Sequence, residues 1–153
     1  MINKWYSFNN AKEIVESKGL FHEIEQIANA TDELGDTESK ESARHYDWQT
    51  EKTILGEYDW SYDAYKNGVA IEFERGNQTK ARWNWMKFEL GTEEKSNLVR
   101  FADFPDVDVG VLLVTRESGG ANLDRCKNEL ESGVFDTLLN ISVPILIGEF
   151  DDR

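Results

Sequence analysis

The sequence predicts an α/β fold with a mixed central β-sheet flanked by helices. Three observations carry this. Residues 107–114 form a nearly continuous apolar run, as in a strand covered on both faces. Residues 69–74 alternate with a period of two: Val69, Ile71 and Phe73 on one side, Ala70, Glu72 and Glu74 on the other. Leu20, Ile24 and Ile27 recur at helical spacing. Taken along the chain, the patterns give helix–helix–strand–strand–helix–strand–helix–strand, an order that builds a mixed sheet.

The first helix is expected over residues 11–17, with Asn9 or Asn10 as its cap and Gly19 as its stop. A second follows on the Leu20–Ile24–Ile27 stripe, with Phe21 and Ala28 alongside and Glu23 and Glu25 facing outward. Residues 31–43 are polar with few apolar anchors and read as an exposed loop carrying at most a turn of helix. His45 lies beside aromatics and reads as a surface residue. Tyr58, Trp60 and Tyr62 alternate with Asp59, Ser61 and Asp63, the pattern of a strand. Asn67-Gly68 then signals a hairpin turn into the strand that carries Glu72 and Glu74. Residues 81–90 read as a helix with Trp83, Met86 and Leu90 at core spacing and Trp85 and Phe88 flanking. Glu93-Glu94-Lys95 marks a turn, and a loop around Pro105 leads to the apolar strand, which Arg116 closes. Ser118-Gly119-Gly120 reads as a flexible loop without a P-loop pattern. A helix over 121–132, a packing segment over 135–139 and a buried strand over 143–148 complete the core, before a solvated acidic tail over 149–153.

At 153 residues the chain is expected to form a single domain, 1–153, around one core. Its 39% hydrophobic and 12% aromatic content is ordinary for a globular protein. No apolar run is long enough to span a membrane, and residues 1–6 lack the apolar core of a signal peptide. One cysteine, Cys126, permits no internal disulfide and, with these absences, sets the expectation of a cytoplasmic protein. Two histidines and one cysteine make no zinc site. Thirty acids against seventeen bases give a net charge of −13, without the basic footprint usual in nucleic-acid binders.

The chemistry of the sequence concentrates at Asp63, Glu72 and Glu74. Two carboxylates side by side on a mostly apolar strand repel each other, and burying them without a counter-charge costs several kcal/mol. A divalent cation such as Mg²⁺, which takes hard oxygen ligands, would offset that cost. A solvated strand face in an acidic protein is the plainer alternative. Arg75, Lys80, Arg82 and Lys87 follow closely in the least acidic region of the chain. Acids that hold a metal next to cations that hold a phosphate are what phosphodiester chemistry needs.

Asp63 and, nine positions on, a Glu-x-Glu at a strand end: this arrangement resembles the catalytic core of the PD-(D/E)xK nuclease superfamily, in the Glu-x-Glu form of the BglII/BamHI branch of type II restriction endonucleases. Asn10-Ala-Lys-Glu-Ile-Val, Phe21-His-Glu-Ile-Glu-Gln-Ile and the stretch from Phe104 to Arg116 resemble other parts of the same branch. The resemblance implies a restriction-endonuclease-like core and a Mg²⁺-dependent DNA endonuclease, with Mn²⁺ as substitute. It implies Asp63, Glu72 and the Phe73 carbonyl as metal ligands. Asp63 is preferred over its rival Asp59 because its spacing to Glu72 matches the family; Glu57 is a further upstream acid. Glu74 stands where most members carry Lys, and would position or deprotonate water or ligate a second metal. Arg82 or Lys87 would steady the phosphate. The expected partner is double-stranded DNA, and cutting both strands of a palindrome would require a homodimer. Members of this branch are usually longer, with added loops that read the major groove, and this chain has little room for them. The alternative from another class is a non-catalytic acidic interaction protein, an inhibitor or DNA mimic, on a degenerate nuclease fold.

Overall fold

The computed structural model describes residues 2–30, 37–55, 60–76, 78–96, 106–115 and 121–150. These residues build a six-stranded mixed sheet between two layers of helices. The strands are β1 (Ile2–Phe8), β2 (Gln49–Leu55), β3 (Trp60–Lys66), β4 (Val69–Glu74), β5 (Val109–Thr115) and β6 (Ile145–Phe150), in spatial order β1-β6-β5-β4-β3-β2. The central trio β4, β5 and β6 is parallel, and β1, β3 and β2 add antiparallel at the flanks. Every residue of β5 is buried, as its continuous apolar run requires.

One face of the sheet carries α1 (Ala11–Ser17), α2 (Phe21–Asn29) and α3 (Thr37–His45). Val15, Ile24, Ile27 and Ala43 meet Val69, Ile71, Val111 and Leu146 there. The other face carries α4 (Gln78–Leu90) and α6 (Leu123–Glu131), whose Trp85, Phe88, Cys126 and Leu130 pack on Ala70, Leu112, Ile145 and Ile147. Short helices α5 (Glu93–Ser96) and α7 (Val134–Leu139) follow α4 and α6. The alternation of β4 is therefore real: its odd positions face the first layer, its even positions the second. Gly110 lets α4 approach the sheet, because a Cβ there would collide with the Phe88 ring.

Several expectations are corrected. The N-terminal stretch, to which the sequence pattern assigns no element, is an edge strand. Its aromatics serve both layers, Trp5 on one and Tyr6 and Phe8 on the other, so no single-face pattern betrays it. Residues 37–45 are a full helix, anchored by the small buried side chains of Ser39 and Ala43, four apart, in place of bulky apolar ones. Residues 31–36, Glu57, Asp59, Pro105, Arg116 and the 118–120 loop lie outside the described residues. Asn10 occupies the cap position of α1 in a left-handed conformation, but no Asn side chain caps; Ser7 Oγ accepts the Lys12 N–H at 3.0 Å. Gly19, at φ 71°, ends that helix as expected. Glu23 does not simply face outward: it accepts hydrogen bonds from Trp48 Nε1 at 2.8 Å and Lys66 Nζ at 2.8 Å, tying α2 to β3.

Helix α4 starts three residues before the expected position and is rotated from the expected face. Ala81, Trp85 and Phe88 are buried, whereas Trp83 is 49% exposed. The helix has large apolar groups nearly all round, so spacing alone does not choose the buried side. In α7, Leu138 and Leu139 are exposed and only Phe135 packs down. Glu149 and Phe150 are buried in β6 and are not a solvated tail. Glu149 accepts the Leu123 N–H at 3.1 Å and so holds the start of α6.

Glu89 plays a similar part. Its carboxylate, 5% exposed, accepts from the Ser142 N–H at 2.9 Å, the Val143 N–H at 2.8 Å and the Ser142 hydroxyl at 3.2 Å. This clamps the approach to β6 against α4. Glu89→Ala strands those donors, and each unsatisfied buried donor costs about 1–3 kcal/mol. We expect a loss of roughly 3 kcal/mol in urea denaturation; a loss below that of an ordinary surface substitution would contradict the clamp.

Candidate active site

The site begins at the β3–β4 hairpin. Asn67 and Gly68 both have positive φ, 46° and 80°, as a two-residue turn of this hand requires. From the turn, Lys66, Tyr65 and Ala64 pair with Val69, Ala70 and Ile71. There the ladder between the two strands stops. The next step is made by a side chain: Asp63 Oδ2 accepts the Phe73 N–H at 2.8 Å. The alternation of β3 also slips at this point, since Tyr62 and Ala64, two residues apart, pack in opposite layers. The strands part, and a cleft of about 480 Å³ opens beside α4.

Asp63, Glu72 and Glu74 all line this cleft. The structure thus brings the three acids singled out from the sequence to one place. Glu72 and Glu74 are each only 6% exposed, which removes the solvated-face alternative. From the helix side come Lys80, Trp83, Asn84 and Lys87, at the i, i+3, i+4, i+7 spacing that puts them on one stripe of α4. Lys87 Nζ is ion-paired with Glu72. Tyr62 fixes this end of the helix, its hydroxyl donating to the Lys87 carbonyl at 2.7 Å and its ring stacking on Phe88 at 6.1 Å. Glu74 accepts the Gly76 N–H. Phe73 contributes its N–H to Asp63, while its side chain packs in the opposite layer.

Arg82 lies elsewhere. It donates to Glu129 Oε1 of α6 at 2.7 Å and lines a separate groove with Arg125 and Asn128. Lys80 is the basic residue that lines the cleft with Lys87. Asn84, Trp60 and Trp83 were not read as site residues from the sequence, although the stripe through 80, 83, 84 and 87 carries that signal once the buried face of α4 is known. His45 sits in α3, edge-on to Tyr46. Cys126 is buried in α6, and that burial pushes its thiol up to about 12, so it is inert.

Among the described residues, no three Asp, Glu, His or Cys side chains form a group placed to hold a metal ion. The carboxylates share a cleft, but each has a partner of its own: Lys87 for Glu72, the Phe73 N–H for Asp63 and the Gly76 N–H for Glu74. Their donor chemistry nonetheless suits a hard divalent cation: carboxylate oxygens only, in mutual repulsion. That repulsion is legible at Glu72. Burial first, then the charge of Asp63, push its carboxyl up to about 8, with Lys87 opposing and Glu74 adding. Burial also raises Glu74.

A carboxyl that holds its proton more tightly in the folded state than in the unfolded one costs stability as pH rises between the two values. Without metal, the protein should lose stability as pH rises from 4.5 towards about 8. This group contributes at most roughly 1.4 kcal/mol per pH unit. Urea melts across that window check it: Glu72→Gln should flatten the profile, and an unchanged slope in the variant would contradict the assignment.

No protein-family model and no curated protein matches the sequence. Among solved structures, the fold is similar to that of the restriction endonuclease BglII, determined in complex with a DNA 16-mer. The TM-score is 0.72 at 19% identity, over 98% of this chain and 76% of that one. The chain therefore has a restriction-endonuclease-like α/β fold, a mixed sheet flanked by helices.

Proposed function

We propose that the protein is a metal-dependent endonuclease that hydrolyses DNA phosphodiester bonds in the cleft between β3, β4 and α4. The observation that carries this reading is the pair of buried strand carboxylates, Glu72 and Glu74, lining one cleft with Asp63 and two lysines. It is supported by the fold shared with BglII. Asp63 and Glu72, with the Phe73 carbonyl, would hold Mg²⁺ or Mn²⁺. When bound, such a cation polarises the phosphate and lowers the pKa of water.

The chain's own residues do the rest. Glu74, whose carboxyl is raised by burial, is a better base than an ordinary Glu and takes the proton of the attacking water. The water oxygen forms the new bond to phosphorus, and the ester oxygen on the opposite side leaves. Lys87 gives up Glu72 and turns to the phosphate, where Lys80 joins it. Double-stranded DNA is the expected partner, and a homodimer would cut both strands.

A second reading keeps the fold without cleavage, as an acidic protein that binds basic partners. The Lys87–Glu72 pair favours it, since Lys87 already supplies the counter-charge that a cation would bring. The net charge of −13 agrees.

Plasmid cleavage in Mg²⁺ separates the two. Glu72→Ala should abolish cutting while the fold persists, and Glu74→Gln should slow it about 100-fold or more, within the range of a general base. A parent protein that cuts no better than these variants would overturn the nuclease reading. Millimolar Mn²⁺ should also raise the melting temperature of the parent but not of Glu72→Ala. No shift in the parent and no cleavage would leave the second reading.

A further inference from the structure

Trp83 is the one Trp, Tyr or Phe among the described residues whose side chain is exposed, at 49%. It stands on the cleft stripe of α4, one turn from Lys80 and one from Lys87, and lines the same cleft as the carboxylates. Trp60 lines the cleft from β3 and supports it edge-on, ring centroids 6.0 Å apart at 66°. The helix buries Ala81, Trp85 and Phe88 instead, so Trp83 is not held out by a lack of apolar partners alone. An indole braced at its edge and open on the cleft side is a platform for a flat ring. The occupant has to carry both a flat ring and a phosphate, because the same cleft presents Lys80, Lys87 and the acids. A nucleotide has both.

We infer that the nucleotide taken into this cleft is unpaired, its base stacked on Trp83 and its phosphate directed to Lys80, Lys87 and the cation that the carboxylates would hold. The phosphate half of this rests on the nuclease reading; the stacking half rests on Trp83 and Trp60. In an intact duplex the base faces are covered by neighbouring pairs, so an indole can reach one only at a single strand, a frayed end or a flipped position. The charge of the chain agrees. At −13 the chain as a whole carries no excess of positive charge to favour a long duplex. Stacking adds affinity without positive charge and tolerates any base. The preferred substrate is therefore single-stranded or locally opened DNA, in place of the intact duplex that the family resemblance implies.

The test uses fluorescence anisotropy with labelled DNA of about 12 nucleotides, within the site size of single-strand-binding folds. A single strand is compared with its blunt duplex in Mg²⁺. Glu74→Gln serves as background so that little DNA is consumed during the measurement. The single strand should bind about tenfold or more tighter than the duplex. Adding Trp83→Ala should weaken single-strand binding about tenfold and leave duplex binding unchanged, while Trp83→Phe should restore most of it. Circular dichroism confirms the fold of each variant. Equal affinity for the two DNA forms, or no effect of Trp83→Ala, overturns the inference. Cleavage by the unmodified protein distinguishes the two readings. Cutting without Trp83-dependent binding keeps the nuclease and removes the platform. Trp83-dependent binding without cutting keeps the platform and removes the nuclease.

Discussion

The arrangement of this molecule depends on two carboxyl groups kept next to each other on a buried strand. Glu72 and Glu74 are both almost wholly out of solvent, and Asp63 stands close enough to raise Glu72 further. Burying such a group would cost several kcal/mol were nothing opposed to it. The chain opposes it with Lys87, with a backbone N–H to Asp63 and another to Glu74. Much of the neighbouring structure holds those three partners in place. Tyr62 anchors the Lys87 turn of α4, Gly110 lets that helix sit close to the sheet, and the parting of β3 from β4 frees the Phe73 N–H for a carboxylate.

This explains why the cleft has its shape. A regular hairpin would have closed the gap between β3 and β4 with ladder bonds. Because the ladder ends at Ala64 and Ile71, the two strands separate above the site. Helix α4 then forms the facing wall, and its polar stripe rather than its apolar one borders the gap. The acids come from strands that the sheet makes rigid, while the lysines come from a helix with long, adjustable side chains. In the proposed reading the site exchanges Lys87 for a cation, and that division would serve the exchange.

Much of the fold was legible from the residues. The period of two at 69–74, the Asn67-Gly68 turn and the continuous apolar run of β5 each have one physical reading, and the sheet follows them. The meeting of Asp63 with Glu72 and Glu74 was expected through the family spacing; the local slip at Tyr62 that opens the cleft leaves no mark in the pattern. Three features were hidden for identifiable reasons. The N-terminal strand splits its aromatics between two layers. Helix α3 packs through small side chains that hydropathy does not register. Helix α4 is apolar on several sides, so the exposed position of Trp83 and the departure of Arg82 towards Glu129 were set by tertiary packing, not by spacing.

In the proposed reading, Asp63 and Glu72 form, with the Phe73 carbonyl, a cation site whose place Lys87 takes when no cation is bound. A crystal grown with millimolar Mn²⁺ tests it directly through anomalous scattering. A peak is expected between Asp63 and Glu72, with the Lys87 ammonium withdrawn from Glu72. A map with Lys87 still paired to Glu72 and no anomalous peak in the cleft would contradict it.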